Sequence, residues 1–111
     1  MAFQEQQIGQ ARENSTNAVS VYSPAASTTA VIKTIFVCNQ SGASATFRLF
    51  VDDDGTTYDE NTALYWDVSV PANYTLKIET FVAMNDQTGN IAYRSSVANA
   101  LTITMFGAKI T

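Results

Sequence analysis

The fold of this chain is decided by the stretch Leu101-Thr102-Ile103-Thr104-Met105-Phe106-Gly107-Ala108. Large apolar residues at positions 101, 103 and 105 alternate there with the residues at positions 102, 104 and 106. Successive side chains of a β-strand point to opposite faces, so this period of two gathers one apolar row on one face. The stretch therefore predicts a β-strand with one face in a hydrophobic core.

Six earlier segments have the same character. They are rich in Val, Ile, Thr, Phe and Tyr, and turn-forming residues separate them. The full set of predicted strands covers residues 18–22, 30–39, 45–51, 63–70, 74–83, 91–95 and 101–108. No segment sustains a helical period. Strands at this regular spacing predict an all-β fold, an antiparallel β-sandwich of jelly-roll-like type with about seven or eight strands.

The segment 1–16 differs from the rest, and we interpret it as an extended N-terminal arm before a β-sandwich domain over residues 17–111. It is rich in Gln, and Phe3 and Ile8 are the large apolar residues within it. Such an arm is held most simply by a neighbouring subunit, so Phe3 and Ile8 are predicted interface residues. The eighth strand that a jelly roll needs would also have to come from this segment.

Alternation along the strands also assigns their faces. Leu64, Trp66 and Val68 are predicted to point into the core. The large apolar residues predicted to point outward are Phe50, Tyr65, Phe81, Phe106 and Ile110. Side chains of this kind form a sticky patch when they are exposed together. We therefore expect members of this outward set to lie in a subunit interface.

The composition favours contact with other proteins. The chain has 111 residues, the size of one domain, and a formal net charge of -4. Charged residues make up 14% of it, against about 25% in a typical soluble domain. Short uncharged polar side chains take their place, and these are buried against a partner with little desolvation. The six cationic residues are scattered, so we predict no nucleic-acid partner.

Several kinds of chemistry are excluded by what the chain lacks. It has no histidine, which excludes Ser-His-Asp and Cys-His catalysis and histidine-ligated zinc. Its five glycines are isolated, so it has no phosphate-binding loop. The single cysteine, Cys38, lies in an apolar run, which indicates an inert packed side chain. No apolar run approaches the roughly 20 residues of a membrane span. An enzyme with this sequence would have to work with carboxylates alone. We predict no cofactor and no membrane partner.

The segment 52–60 holds five of the ten acidic residues and has two interpretations. An EF-hand needs a ligand at its first position and Glu at its twelfth, and alignment on Gly55 puts Phe50 and Asn61 there. Asp54-Gly55 is instead a tight-turn dipeptide. We predict a solvated strand connection and no metal site. The alternative is a calcium site of another type, with Asp52, Asp54, Asp59 and Glu60 as its ligands.

Aromatic residues on a β-sandwich can also bind carbohydrate. The candidates are Tyr58, Tyr65, Trp66 and Tyr74. Trp66 alternates with core-type residues, which favours burial of its ring. A sugar-binding module is therefore an alternative function and not the first one.

Three stretches resemble a group of small virion structural proteins from tailed bacteriophages. They are the runs Phe47-Arg48-Leu49-Phe50-Val51-Asp52-Asp53-Asp54-Gly55-Thr56-Thr57-Tyr58-Asp59, Thr80-Phe81-Val82-Ala83-Met84-Asn85 and Ala98-Asn99-Ala100-Leu101-Thr102-Ile103-Thr104-Met105-Phe106-Gly107. The likeness covers roughly residues 17–111. It lies in the residues of these runs and in their spacing, and it includes no catalytic motif.

The resemblance implies a non-enzymatic β-sandwich module displayed in many copies on a phage particle. Such modules are commonly trimeric and serve as head decoration (cement) proteins, or as adaptors and fibre components of the tail. The expected partners are copies of this chain in a homotrimer, the major capsid protein and other virion proteins. The expected location is the virion, which assembles in the cytoplasm of the bacterial host. We expect a capsid decoration protein, with a tail or fibre component as the alternative.

Overall fold

The computed structural model describes residues 2–111, and every regular element among them is a β-strand. The strands are β1 (Phe3–Arg12), β2 (Val19–Tyr22), β3 (Thr29–Asn39), β4 (Ala45–Asp52), β5 (Ala63–Val70), β6 (Thr75–Met84), β7 (Asn90–Ser95) and β8 (Leu101–Ile110). The predicted all-β class is confirmed.

The strands form two four-stranded sheets in which all neighbours are antiparallel. The first sheet has the order β1-β8-β3-β6 and the second has the order β2-β7-β4-β5. The predicted antiparallel sandwich of seven to eight strands agrees with this arrangement. Each sheet presents one face to the shared core and one face outward.

The core draws its large side chains from both sheets. The first sheet contributes Ile32, Ile35, Leu101 and Ile103, and the second contributes Phe47, Leu49, Ile91 and Tyr93, all of them at most 1% exposed. The row predicted at positions 101, 103 and 105 therefore lies in the core.

The N-terminal arm is not confirmed. Residues Phe3–Arg12 form β1, an edge strand that pairs with β8 along its whole length. Ile8 is 6% exposed and belongs to the core of its own chain, so its predicted place in a subunit interface is wrong. Met1, the first residue of the predicted arm, lies outside the described residues. The eighth strand does come from this segment, as a jelly roll requires.

A bulge in β1 explains why its sequence shows no strand pattern. Gln7 pairs with Phe106, and Gly9 pairs with Met105, so Ile8 is an extra residue between two consecutive partners. The inward position is thereby moved by one residue within the strand. An edge strand needs few apolar residues. Because the bulge at Ile8 also shifts the inward positions by one residue, no alternation of apolar and polar residues is visible along β1.

A second bulge reverses the predicted faces of the first part of β5, before Asp67. Phe47 pairs with Val68 and Leu49 pairs with Tyr65, so two residues of β5 lie opposite one residue of β4. Asp67, one of these two, has a φ of 51°, in the left-handed region. Tyr65 consequently packs against the core. The prediction that Leu64 and Trp66 point into the core is wrong, since their exposed fractions are 46% and 42%. Val68 does pack against the core as predicted.

Arg48, the residue opposite this bulge, fixes it on the outer surface. Its Nε lies 2.6 Å from Asp67 Oδ1 and its Nη2 lies 3.0 Å from Asp67 Oδ2. Its guanidinium carbon is 3.6 Å from the centroid of the Trp66 ring. The hydrogen bonds from Arg48 lower the pKa of the Asp67 carboxyl, and the same bonds raise the pKa of Arg48. One side chain thus contacts both bulge residues.

We expect this ion pair to stabilise the protein at neutral pH and to lose its contribution at acid pH. The folded pKa of Asp67 is depressed, so its contribution is present above the unfolded value of about 3.9 and is lost as pH falls through the folded value. Asp67→Asn keeps a residue that tolerates positive φ but removes the charge. The difference in Tm between the native protein and Asp67→Asn should shrink between pH 6 and pH 2. A difference that stays constant over this range would contradict the assignment.

Candidate interaction surface

The outward face of the first sheet carries three exposed phenylalanines. Phe81, Phe3 and Phe106 are 73%, 59% and 38% exposed. The ladder places Phe3 and Phe106 on one face, because β1 and β8 pair Phe3 with Ile110 and Gln7 with Phe106. Phe81 projects to the same side of the sheet, since the next residue of β6, Val82, packs in the core. With Phe36 of β3 they form what we call the outer aromatic face: Phe3, Phe36, Phe81 and Phe106.

Phe36 and Phe106 form the centre of this face. Their ring centroids are 5.9 Å apart and their planes are nearly perpendicular, at 83°. This edge-to-face geometry is favourable for aromatic pairs. Phe36 pairs across the ladder with Thr104, two residues before Phe106 on the same face. The pair is therefore held in place by the two central strands of the sheet.

Lys33 lies beside Phe3 on this face. It is an extra residue in β3, since Ile32 pairs with Gly107 and Thr34 with Phe106. Its Nζ lies 5.5 Å from the centroid of the Phe3 ring and 3.8 Å from Oε2 of Glu5. The cation is thus shared between an aromatic ring and a carboxylate at the surface.

A shallow depression of about 470 Å³ lies beside these side chains. Its lining combines the Lys33–Glu5 ion pair with Gln6, Gln7, Thr34 and Phe106. The lining thus combines an aromatic ring with amide, hydroxyl and charged groups. This mixture is typical of surfaces that bind protein, where an aromatic centre is surrounded by polar groups.

The outward set predicted from sequence is divided by the structure. Phe81 and Phe106 lie on the outer aromatic face, and Ile110 lies beside Phe3 on the same side of the ladder. Phe50 is 2% exposed, because Tyr58 and Trp66 cover it at ring-centroid distances of 6.1 and 6.4 Å. The expectation that Phe50 is free for an interface is therefore wrong.

Tyr65 also differs from its predicted position. The bulge in β5 turns it toward the core, where its ring centroid lies 6.2 Å from that of Phe47. Phe3, in contrast, is exposed as the interface prediction requires, although it lies on a strand and not on a free arm. Sequence alternation could not find Lys33 and Phe36 as members of the site, because the bulge at Lys33 shifts the faces of β3.

The acidic loop is organised around Asp52, which is 7% exposed. Its Oδ1 accepts a hydrogen bond from the Asp54 amide at 3.2 Å, and its Oδ2 accepts one from the Thr57 amide at 2.8 Å. These amide donors lower the pKa of Asp52. The carboxylate oxygens of Asp52, Asp53 and Asp54 lie within 4.8 Å of one another. The two amide hydrogen bonds show that the Asp52 carboxylate stabilises the turn of its own loop.

The sequence matches no protein-family model, and no curated protein is similar to it. Within residues 2–111 no helix is long and apolar enough to cross a membrane.

Proposed function

We propose that this chain is a structural protein of a tailed-phage virion, and that it acts as a capsid decoration protein. The observation that supports the proposal is the outer aromatic face, with Phe81 and Phe3 exposed by 73% and 59%. Burying such side chains against a partner stabilises the contact by about 1.5–3 kcal/mol each. The resemblance of the runs at 47–59, 80–85 and 98–107 to phage virion proteins supplies the class of partner.

We propose that this protein binds its partner through many small contacts between surfaces, without a chemical reaction. The chain has few charges to desolvate, and the charged groups beside Phe3 form the Lys33–Glu5 pair, whose side chains are 47% and 73% exposed. Such a face can contact the major capsid protein or a further copy of this chain. A single contact through a few aromatic side chains is weak. Many copies on one shell stabilise the particle strongly through multivalency.

The alternative within the same class is a tail or fibre component. It would use the same face but would be present in few copies per particle, whereas a decoration protein covers the head in many copies. Counting this chain against the major capsid protein in purified particles distinguishes the two.

We expect the double substitution Phe3→Ser and Phe106→Ser to reduce the amount of this protein on purified particles at least about tenfold, because two aromatic contacts are lost. Leu64→Ser is the matched control, since Leu64 is 46% exposed on the second sheet and should leave incorporation unchanged. Far-ultraviolet circular dichroism checks that both variants fold.

Two results would contradict the proposal. One is the absence of this protein from particles that carry its gene. The other is native incorporation of the Phe3→Ser and Phe106→Ser variant. Deletion of residues 1–16 is not a suitable test, because it removes β1 and with it Ile8 from the core.

A further inference from the structure

Within residues 2–111, strand β6 leaves one edge of the first sheet open. It is the last strand in the order β1-β8-β3-β6 and runs for ten residues, Thr75–Met84. Every second residue of such a strand points its amide and carbonyl away from the sheet. An unpaired edge of this kind is a template for another strand.

The ladder shows which residues of β6 face the open side. The Asn39 amide donates to the Tyr74 carbonyl at 2.9 Å, so residues 39 and 74 form a hydrogen-bonded pair. Alternation then directs the backbone groups of Leu76 and Ile78 toward β3, and those of Thr75, Lys77 and Glu79 away from it.

The other neighbour of β3 supports this assignment. The Gln40 amide donates to the Ala100 carbonyl at 2.8 Å, so even-numbered residues near the end of β3 bond to β8. The backbone groups of odd-numbered residues in that segment therefore bond to β6, which agrees with the hydrogen-bonded pair of residues 39 and 74.

The two faces of β6 differ in what they leave uncovered. Leu76 and Ile78 point inward and pack against the core, but they are only half-buried at this open side. Lys77 and Glu79 point outward, with side chains 56% and 76% exposed and with Nζ 3.2 Å from Oε1. The edge thus combines an apolar row with one cation and one anion two residues apart.

We propose that two copies of this chain pair through β6, antiparallel and about a two-fold axis that passes through Ile78. This register sets Lys77 opposite Glu79 of the partner subunit, and Glu79 opposite Lys77 of the partner subunit. Opposite charges in directly facing positions stabilise antiparallel pairs. The same residues have their backbone groups free, so both facing pairs are hydrogen-bonded pairs.

The inner face is satisfied by the same register. Ile78 meets Ile78 of the partner subunit, and Leu76 meets Thr80 of the partner subunit, which covers the half-buried apolar row. The two first sheets then become one continuous sheet. The bulge in β6, where Thr80 and Phe81 lie opposite Lys33, limits the regular ladder to a short segment and favours a reversible dimer.

The other open edge of the first sheet does not fit a second copy equally well. The regular part of β1 before its bulge has Glu5 at its centre. Two-fold pairing about that residue would set two like charges opposite each other, which is unfavourable.

Charge reversal tests the register. We expect the native protein to form a concentration-dependent dimer in sedimentation equilibrium. Lys77→Glu sets Glu opposite Glu79 of the partner subunit and should raise the dimer Kd about thirtyfold, which corresponds to about 2 kcal/mol. The swapped variant with Lys77→Glu and Glu79→Lys restores opposite charges in every facing pair and should recover the native Kd.

A disulfide tests the axis directly. In a Cys38→Ser background, Ile78→Cys places two thiols in facing positions of a non-hydrogen-bonded pair, where the Cα atoms are about 4.5 Å apart and a disulfide is allowed. Leu76→Cys is the matched control, since its two copies would lie about 13 Å apart, four residues along the ladder. Oxidation should link only the Ile78→Cys variant.

The proposal is overturned by a native protein that stays monomeric at millimolar concentration, or by the homotrimer that the phage resemblance implies. It is also overturned by a dimer that Lys77→Glu does not weaken, or by equal cross-linking at positions 76 and 78. None of these measurements involves phage particles, so the dimer and the virion role succeed or fail separately.

Discussion

Gly107→Ala should lower the free energy of unfolding by at least about 3 kcal/mol, or prevent folding, because the added methyl group has no space. A Cβ built on Gly107 would lie 1.8 Å from the carbonyl oxygen of Val31 and 2.8 Å from its carbonyl carbon. Both are backbone atoms of β3, the central neighbour of β8, and cannot rotate away as a side chain does. Relief would require β3 and β8 to separate where their register shifts.

Urea denaturation of the native protein, Gly107→Ala and Gly42→Ala measures this effect. Gly42 is the matched control, because a Cβ there meets nothing within 4 Å. We expect Gly42→Ala to change the free energy of unfolding by less than about 1 kcal/mol. Equal stability of the two variants would show that β8 and β3 do not approach as closely as the structure indicates.

The sequence predicts the regular parts of this fold because they obey a period of two. The row at 101, 103 and 105 of β8 is continuous in sequence and lies in the core as predicted. The edges of the sheets and the exposed aromatic residues follow less regular rules. The bulges in β1, β3 and β5 separate the prediction from the structure there.

Each bulge moves the inward position by one residue, which a fixed alternation cannot express. The bulge at Ile8 hides β1 within a Gln-rich segment, and the bulge at Asp67 exposes Trp66 while turning Tyr65 inward. Asp67 is an ordinary acidic residue in sequence, and no local signal indicates its φ of 51° or its pairing with Arg48. These details depend on contacts between strands that are distant along the chain.

Only some residues of the outer aromatic face could be predicted from the sequence. Phe81 and Phe106 alternate regularly with core residues and are exposed as predicted. Phe50 also alternates regularly, yet the loop after β4 folds Tyr58 over it. Alternation identifies the face from which a side chain projects but not whether a loop covers that face.

Asn39→Asp should be among the most damaging single-atom changes in this protein. Asn39 is 1% exposed, and its Nδ2 donates to the carbonyl oxygens of Ala43 and Val70, each at 2.9 Å. Its Oδ1 accepts from the amide and hydroxyl of Ser41. The carboxylate has the same shape but no donor, so it would face two carbonyl oxygens with a buried negative charge. We expect a loss of at least about 3 kcal/mol at pH 7.

The pH dependence of this loss separates charge from shape. Burial beside two carbonyl oxygens raises the pKa of the new carboxyl in the folded state above the unfolded value of about 3.9, so the protonated form is favoured by folding. The destabilisation therefore grows as pH rises above about 4 and is smaller below it, where the acid donates one hydrogen bond. Asn17→Asp, at an exposed position, is the control and should show no such trend. If urea denaturation at pH 3.5 and pH 7 gave the same loss for Asn39→Asp, the damage would come from strain in the loop, and the two carbonyl oxygens would have to be satisfied by other groups.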